Sequence, residues 1–143
     1  MGKDSGPRTQ PLMVRFVPPQ VMPKLGENAT LTLVLVGAKD VMAVDVILSY
    51  DPSMLEASDL AAGALLSLDG AAVRVERQME YGKVRAKFAR PKGVSGSGAI
   101  VSLTVKALKP GLGLVNVDGI TVSTPERDES PYIGGQGRVL VMQ

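Results

Sequence analysis

The sequence contains no cysteine, no histidine and no tryptophan. The absence of cysteine excludes disulfide bonds, thiolate metal ligands and a cysteine nucleophile. The absence of histidine removes the side chain that most often serves as a general base or as a metal ligand. We therefore expect a protein that is not an enzyme, with no catalytic residue, no cofactor and no bound metal.

Aromatic residues are also scarce, at 3% of the chain. This is too few for the stacking platform of a carbohydrate-binding module or of a protein that binds single-stranded nucleic acid. The 16 basic and 14 acidic residues leave a net charge of only +2, which does not favour a nucleic-acid partner. No apolar run approaches the roughly 18 residues that a membrane-spanning helix requires, so no membrane span is predicted.

Short apolar runs with a period of two dominate the remainder, and 45% of the residues are hydrophobic. Such alternation, interrupted by glycine and proline, is typical of half-buried strands. Roughly nine short strands without helix–strand alternation indicate an all-β fold, namely an antiparallel β-sandwich. The predicted strands are 12–17, 29–37, 42–50, 72–79, 82–90, 99–108, one or two within 112–124, and 138–143.

The segments between these strands are assigned less simply. Residues 54–66 are rich in alanine and fit either a short helix or a brief strand followed by a turn. The glycine-rich residues 93–98 and the polar residues 125–137 are predicted to be loops. Residues 1–10 lack the apolar region of a secretory signal, so we predict a flexible leader before one domain at 11–143.

Several short motifs follow one another between Val14 and Val141. They are GENAT at 26–30, YDPSMLE at 50–56, GALL at 63–66, GKVRAKFA at 82–89, and the glycines of 93–98 before LTVKAL at 103–108. In this order they resemble the motifs of cohesin domains, which are nine-stranded jelly-roll modules that bind dockerins. The resemblance implies a jelly-roll sandwich and a non-catalytic function in protein–protein interaction.

The tripeptide Tyr50-Asp51-Pro52 in the second motif has a physical explanation as a turn. The ring of Tyr50 can be buried while its hydroxyl finds a partner at the edge of the sandwich. The side chain of Asp51 can cap the turn, and Pro52 pre-sets its own φ angle. We interpret these residues as specifying the fold and not a ligand.

The resemblance also implies where a partner binds, namely on one flat sheet face formed by segments 42–50, 72–79 and 82–90. Asp45 occupies the position at which cellulosomal cohesins place an acid that contacts the dockerin. Ala43 stands where those cohesins often have asparagine, which is a departure from ordinary dockerin specificity. The predicted partner-binding residues are Asp45, Ile47, Arg74, Glu76, Lys83, Arg85 and Lys87.

Two interpretations of this face stay open. Its long cationic side chains favour an acidic protein partner, which the resemblance identifies as dockerin-like or as a component of a secretion system such as an outer-membrane secretin. The departure at Ala43 favours the secretion system. Alternatively, the face is only hydrated, with cross-strand ion pairs that contribute little.

Other functions and properties follow from the same class of fold. A carbohydrate-binding module is the alternative function, and it would need a groove with exposed aromatic side chains. The acidic loop 125–130 offers oxygens for calcium, although its spacing matches no EF-hand. The edge of a sandwich also allows strand pairing between copies, and hence a homodimer. We expect an exported protein that is periplasmic, associated with the outer membrane or extracellular, with its signal upstream of this chain.

Overall fold

The computed structural model describes residues 12–70 and 72–143, so the predicted leader lies outside the described residues. This part of the chain consists almost entirely of β-strands. The elements are β1 (Met13–Val17), β2 (Gln20–Val21), β3 (Asn28–Tyr50), β4 (Leu55–Ala62), a 3-10 helix (Ala64–Ser67), β5 (Arg74–Glu80), β6 (Lys83–Ala107), β7 (Gly111–Ser123), β8 (Asp128–Glu129), β9 (Tyr132–Ile133) and β10 (Gly137–Val141).

Two of these strands are much longer than predicted. β3 has 23 residues and contains both predicted strands 29–37 and 42–50, while β6 has 25 residues. The loop predicted at 93–98 is wrong, because these residues pair with β3 inside β6. The register of the β3–β6 pairing shifts repeatedly between Leu35 and Ala43. Such bulges bend a strand, and here they let each long strand continue from one layer of the sandwich into the other.

The bend explains why a glycine-rich segment can lie within a strand. A Cβ at Gly93 would lie 2.8 Å from the Cα of Asp40, so only glycine allows this approach of the two strands. Asp40 itself has a φ of 52°, in the left-handed region. Its backbone N–H donates to the Ser95 hydroxyl at 3.0 Å, and that of Gly37 donates to the Ser97 hydroxyl at 3.2 Å. These serines therefore provide acceptors for N–H groups where the register shifts.

The strands form two layers. β5, the first half of β6, the second half of β3 and β7 make one layer, and β8 pairs with the end of β7. The other layer contains β4, the second half of β6, the first half of β3, β1 and β9. β10 pairs with β7 and β2. Because β3 and β6 belong to both layers, hydrogen bonds join all ten strands into one curled sheet, as in a jelly-roll sandwich. The predicted fold class is confirmed.

Two further segments depart from or refine the prediction. The interval 125–137 is not entirely a loop, since it contains β8 and β9, and β9 pairs in parallel with β1. Segment 54–66 was predicted to be either a short helix or a strand followed by a turn, and the structure has the strand followed by a turn. β4 ends at Ala62, and Leu65 and Leu66 of the following 3-10 helix are buried.

The core between the layers is mostly aliphatic. The predicted inward residues of β6, Val84, Ala86 and Phe88, are buried, and the alternate residues Val44, Val46 and Leu48 of β3 are buried opposite them in the pairing register. Each fully buried aliphatic or aromatic side chain contributes about 1.5–3 kcal/mol before conformational entropy is subtracted.

The Tyr-Asp-Pro turn has the structure predicted for it. Tyr50 packs against the core, and its hydroxyl donates to the carbonyl oxygen of Glu80 at 3.3 Å. The Oδ1 atom of Asp51 accepts hydrogen bonds from the backbone N–H of Ser53 at 2.9 Å and from its hydroxyl at 2.7 Å. These two bonds, the hydroxyl foremost, together with the charge of Lys109, hold the pKa of Asp51 below its usual value. This turn terminates β3 and stabilises the fold.

Arg90 is a buried cation that no motif of the sequence indicates. Its side chain is 1% exposed. The guanidinium donates to the carbonyl oxygen of Leu66, to that of Lys92 at 2.5 Å, and to Oδ2 of Asp69 at 2.7 Å. Arg90 therefore anchors the 3-10 helix and the segment after it to β6.

Candidate protein-binding face

All the predicted partner-binding residues lie on one surface, the solvent side of the layer formed by β5, β6, β3 and β7, which we call the outer face. Residues directly opposite one another on antiparallel strands point to the same side of a sheet. The pairing register therefore places these side chains together. One row across the outer face consists of Glu76, Lys87, Asp45 and Thr121, and the next consists of Gln78, Arg85, Ile47 and Gly119.

Asp45 and Arg85 form an ion pair in the middle of the outer face. Arg85 donates from Nη2 to Oδ2 of Asp45 at 3.1 Å and from Nε to Oδ1 at 3.4 Å. The side chains of Arg85 and Asp45 are 46% and 35% exposed, and the hydrogen bond and charge of Asp45 raise the pKa of Arg85. Asp45 is thus already engaged within the chain. Because exposed ion pairs contribute little, a partner can reorganise this one at low cost.

An open depression of about 410 Å³ lies beside this ion pair. The side chains of Arg85 and Lys87 are cationic and that of Glu76 is acidic, whereas the side chain of Arg77 is directed towards β4 of the other layer. The residues that line the depression are Glu76, Arg77, Gln78, Arg85 and Lys87.

Ile47 is the apolar centre of the outer face. It is half-buried, and its neighbour on β7 is Gly119, which has no side chain. A Cβ at Gly119 would lie 3.9 Å from Cδ1 of Ile47, so the isoleucine lies next to a flat part of β7. Beside it, the Ser49 hydroxyl donates to Oδ1 of Asp118 at 2.8 Å. An apolar centre with a polar surround is the usual composition of a protein–protein interface.

The predicted residues do not all lie equally close together. Arg74 pairs with Ala89 at one end of the outer face, and Lys83 pairs with Glu80 and Ser49 at the other. These two rows are six residue steps apart along β6, a distance of about 20 Å. Asp45, Ile47, Glu76, Arg85 and Lys87 therefore form the centre, and Arg74 and Lys83 mark the two ends.

The part of the outer face that β7 supplies was not predicted from the sequence. Thr121, Gly119 and Asp118 border the centre because β7 pairs with the second half of β3. The alternating pattern of 112–124 predicts a strand, but it contains no signal for which strand lies beside it.

The aromatic side chains do not make a sugar-binding platform. Phe16 and Phe88 are buried, and Tyr50 packs against the core. Tyr81, which is 85% exposed, lies at the turn between β5 and β6, whereas Tyr132, 72% exposed, lies in β9 of the other layer. The two exposed tyrosines cannot stack on one ligand, which disfavours the alternative of a carbohydrate-binding module.

The acidic side chains of loop 125–130 are not grouped as metal ligands. Within residues 12–70 and 72–143, no three or more His, Cys, Asp or Glu side chains are grouped so that they could hold a metal ion. Nε of Arg127 lies 3.4 Å from Oε2 of Glu129 instead. In the same described part of the chain, no helix has the length and hydrophobicity needed to cross a membrane.

The model of the cohesin domain family matches residues 14–129. This chain belongs to the cohesin family. The match includes every residue of the outer face that was predicted to bind a partner. A comparison of this cohesin with curated proteins finds no match.

Solved cohesin structures share the fold at low sequence identity. The non-cellulosomal cohesin from the hyperthermophilic archaeon Archaeoglobus fulgidus is 18% identical, with a TM-score of 0.76 over 94% of this chain and 93% of that one. The sixth cohesin of scaffoldin B from Acetivibrio cellulolyticus, in complex with a Cel5 dockerin, is 16% identical, with a TM-score of 0.74 over 92% and 99%. The Coh-OlpC-Doc435 complex from Clostridium thermocellum gives 13% identity and a TM-score of 0.76 over 98% and 99%.

Proposed function

We propose that this cohesin domain is a non-catalytic docking module that binds a protein partner through its outer face. The observation that supports this most is the convergence of Asp45, Ile47, Glu76, Arg85 and Lys87 in adjacent cross-strand rows. An ion pair and a lysine surround an apolar centre, on a face broad enough for another protein. No reacting group is required for such a function.

The partner is either dockerin-like or a component of a secretion system. The structures of the cohesins from Acetivibrio cellulolyticus and Clostridium thermocellum contain bound dockerins, which supports a dockerin-like partner. Ala43, which lies on the outer face two residues before Asp45, favours the second class because it cannot make the hydrogen bonds of an asparagine. Both classes agree with an exported domain located in the periplasm, at the outer membrane or outside the cell.

Titration calorimetry against a panel tests the proposal. The panel consists of dockerin domains and the proteins encoded beside this one, including any secretion-system components. We expect one of them to bind, with an affinity that falls as salt rises, since cations border the centre of the face. A folded domain that binds no member of the panel would contradict the proposal.

A matched pair of variants locates the contact. Lys87 and Lys106 are both exposed lysines of β6, but Lys87 lies on the outer face and Lys106 pairs with Asn28 and Glu56 in the other layer. We expect Lys87→Glu to weaken binding by roughly three- to tenfold, mainly through slower association, and Lys106→Glu to leave it unchanged. Equal losses for the two variants would place the contact elsewhere.

A further inference from the structure

β5 is an edge strand whose outer side is unpaired. It pairs with β6 along one side, and within residues 12–70 and 72–143 no strand pairs with the other. All of its residues are exposed, including Val75 at 43% and Met79 at 38%. An exposed edge presents free backbone N–H and C=O groups to any strand that can align with it.

The sequence of β5, RVERQME, is complementary to itself when it is read in the opposite direction. An antiparallel pair centred on Arg77 sets a cation opposite an acid, an amide opposite an acid, and two apolar side chains opposite each other. Between copies, the pairs are Arg74 with Glu80, Glu76 with Gln78, and Val75 with Met79. We propose that β5 binds β5 of a second copy of this chain in this register.

Neighbouring registers are less favourable. Moving the centre of the pair to Glu76 sets Glu76 opposite Glu76 of the second copy, and moving it to Gln78 sets Glu76 opposite Glu80. Like charges directly opposite each other destabilise a sheet. The register centred on Arg77 avoids both repulsions and also covers the two exposed apolar side chains.

The centre of the pair sets Arg77 opposite Arg77, and an inward charge of this kind usually prevents edge pairing. Here the charge is balanced within each copy. Nη1 of Arg77 donates to Oδ1 of Asp59 at 3.0 Å and to the carbonyl oxygen of Leu60 at 2.6 Å. Both acceptors belong to β4 in the other layer, so each guanidinium is directed towards its own chain and has an acidic partner there.

The dimer would place both outer faces on the same side of one extended sheet, because opposite residues of antiparallel strands point to the same side. Asp45, Ile47, Arg85 and Lys87 are not covered by contacts along the edge of β5. The dimer would therefore be bivalent for any partner of the outer face. The edge contact itself does not depend on the proposed docking function.

Sedimentation analysis of the purified chain between about 10 µM and 1 mM tests this inference, and it requires no partner. We expect a reversible monomer–dimer equilibrium. Arg74→Glu and Glu80→Arg each replace both symmetry-related attractive pairs by repulsive ones, so each should weaken dimerisation roughly tenfold or more. Lys39→Glu, at an exposed lysine outside β5, is the matched control and should have no effect.

Mixing separates charge complementarity from damage to the fold. A chain with Arg74→Glu should form a heterodimer with a chain that carries Glu80→Arg, because the opposite charges then face each other again. The double variant should recover the homodimer. A wild-type chain that remains monomeric at 1 mM, a mixture that forms no heterodimer, or a control that weakens the dimer equally would overturn the inference.

Discussion

Replacement of Arg90 by methionine is expected to destabilise this cohesin more than the loss of any exposed charge. Methionine approximates the length of arginine and can fill the same space, but it donates no hydrogen bond. The substitution therefore isolates the loss of the bonds to the carbonyl oxygens of Leu66 and Lys92 and to the carboxylate of Asp69.

The magnitude follows from the exposure of each acceptor. Leu66 is buried, so its carbonyl oxygen loses its partner without gaining water, which costs about 1–3 kcal/mol. Lys92 is exposed and the side chain of Asp69 is 47% exposed, so water can replace much of what they lose. We expect a decrease of about 2–4 kcal/mol in the free energy of unfolding, which corresponds to a melting temperature lower by roughly 6–12 °C.

Urea unfolding followed by circular dichroism measures this quantity, with the slope m checked for constancy. Arg127→Met is the control, because Arg127 is an exposed arginine with a 3.4 Å contact to Glu129, and its loss should change stability by less than about 0.5 kcal/mol. If Arg90→Met costs less than about 1 kcal/mol, the idea that Arg90 anchors the 3-10 helix is refuted.

Two further substitutions test local features of the fold. A Cβ at Gly63 would lie 2.3 Å from the backbone of Ala99, so Gly63→Ala should lower the free energy of unfolding in urea by about 3 kcal/mol or more. The control Gly119→Ala, where the nearest atom would be 3.9 Å from the new Cβ, should lower it by less than about 1 kcal/mol. Equal effects of the two substitutions would contradict this packing. Because the folded-state pKa of Asp51 is lowered, its bonds from Ser53 stabilise the protein above the unfolded pKa and are lost as the pH falls through the folded one. Asp51→Asn should therefore lower the urea midpoint at pH 7 by an amount that shrinks as the pH falls through the acid range. A difference that does not shrink towards acid pH would contradict this.

The parts of the structure that could be predicted from the sequence are those set by local alternation. Val44, Val46 and Leu48 face the core, and Asp45 and Ile47 face outwards, because successive side chains of a strand point to opposite sides. The cohesin motifs then allowed neighbouring segments to be placed on one face. Most of the outer face could be anticipated in this way.

The errors arose where local and long-range requirements differ. The glycines of 93–98 suggest a loop between two strands, but Gly93 is required because β6 passes close to Asp40 of β3. A register shift also changes which side of the strand each residue faces, and no local pattern shows where it occurs.

Long-range contacts were missed for a related reason. Arg90 and Arg77 follow the ordinary alternation of their strands, and their partners Asp69 and Asp59 come from segments distant in the sequence. The position of β7 beside β3 likewise depends on the topology of the whole sandwich.

The most direct test of the outer face measures the affinity for a partner identified from the panel. It compares substitutions at two half-buried aliphatic residues of β3. Ile47 lies on the outer face, whereas Val34, on the first half of the same strand, points outwards from the other layer and pairs with Arg15. Calorimetry should show Ile47→Glu weakening the affinity by roughly ten- to a hundredfold, as expected for the apolar centre of an interface, and Val34→Glu leaving it unchanged. An unchanged affinity for Ile47→Glu, or an equal loss for Val34→Glu, would contradict docking through this face.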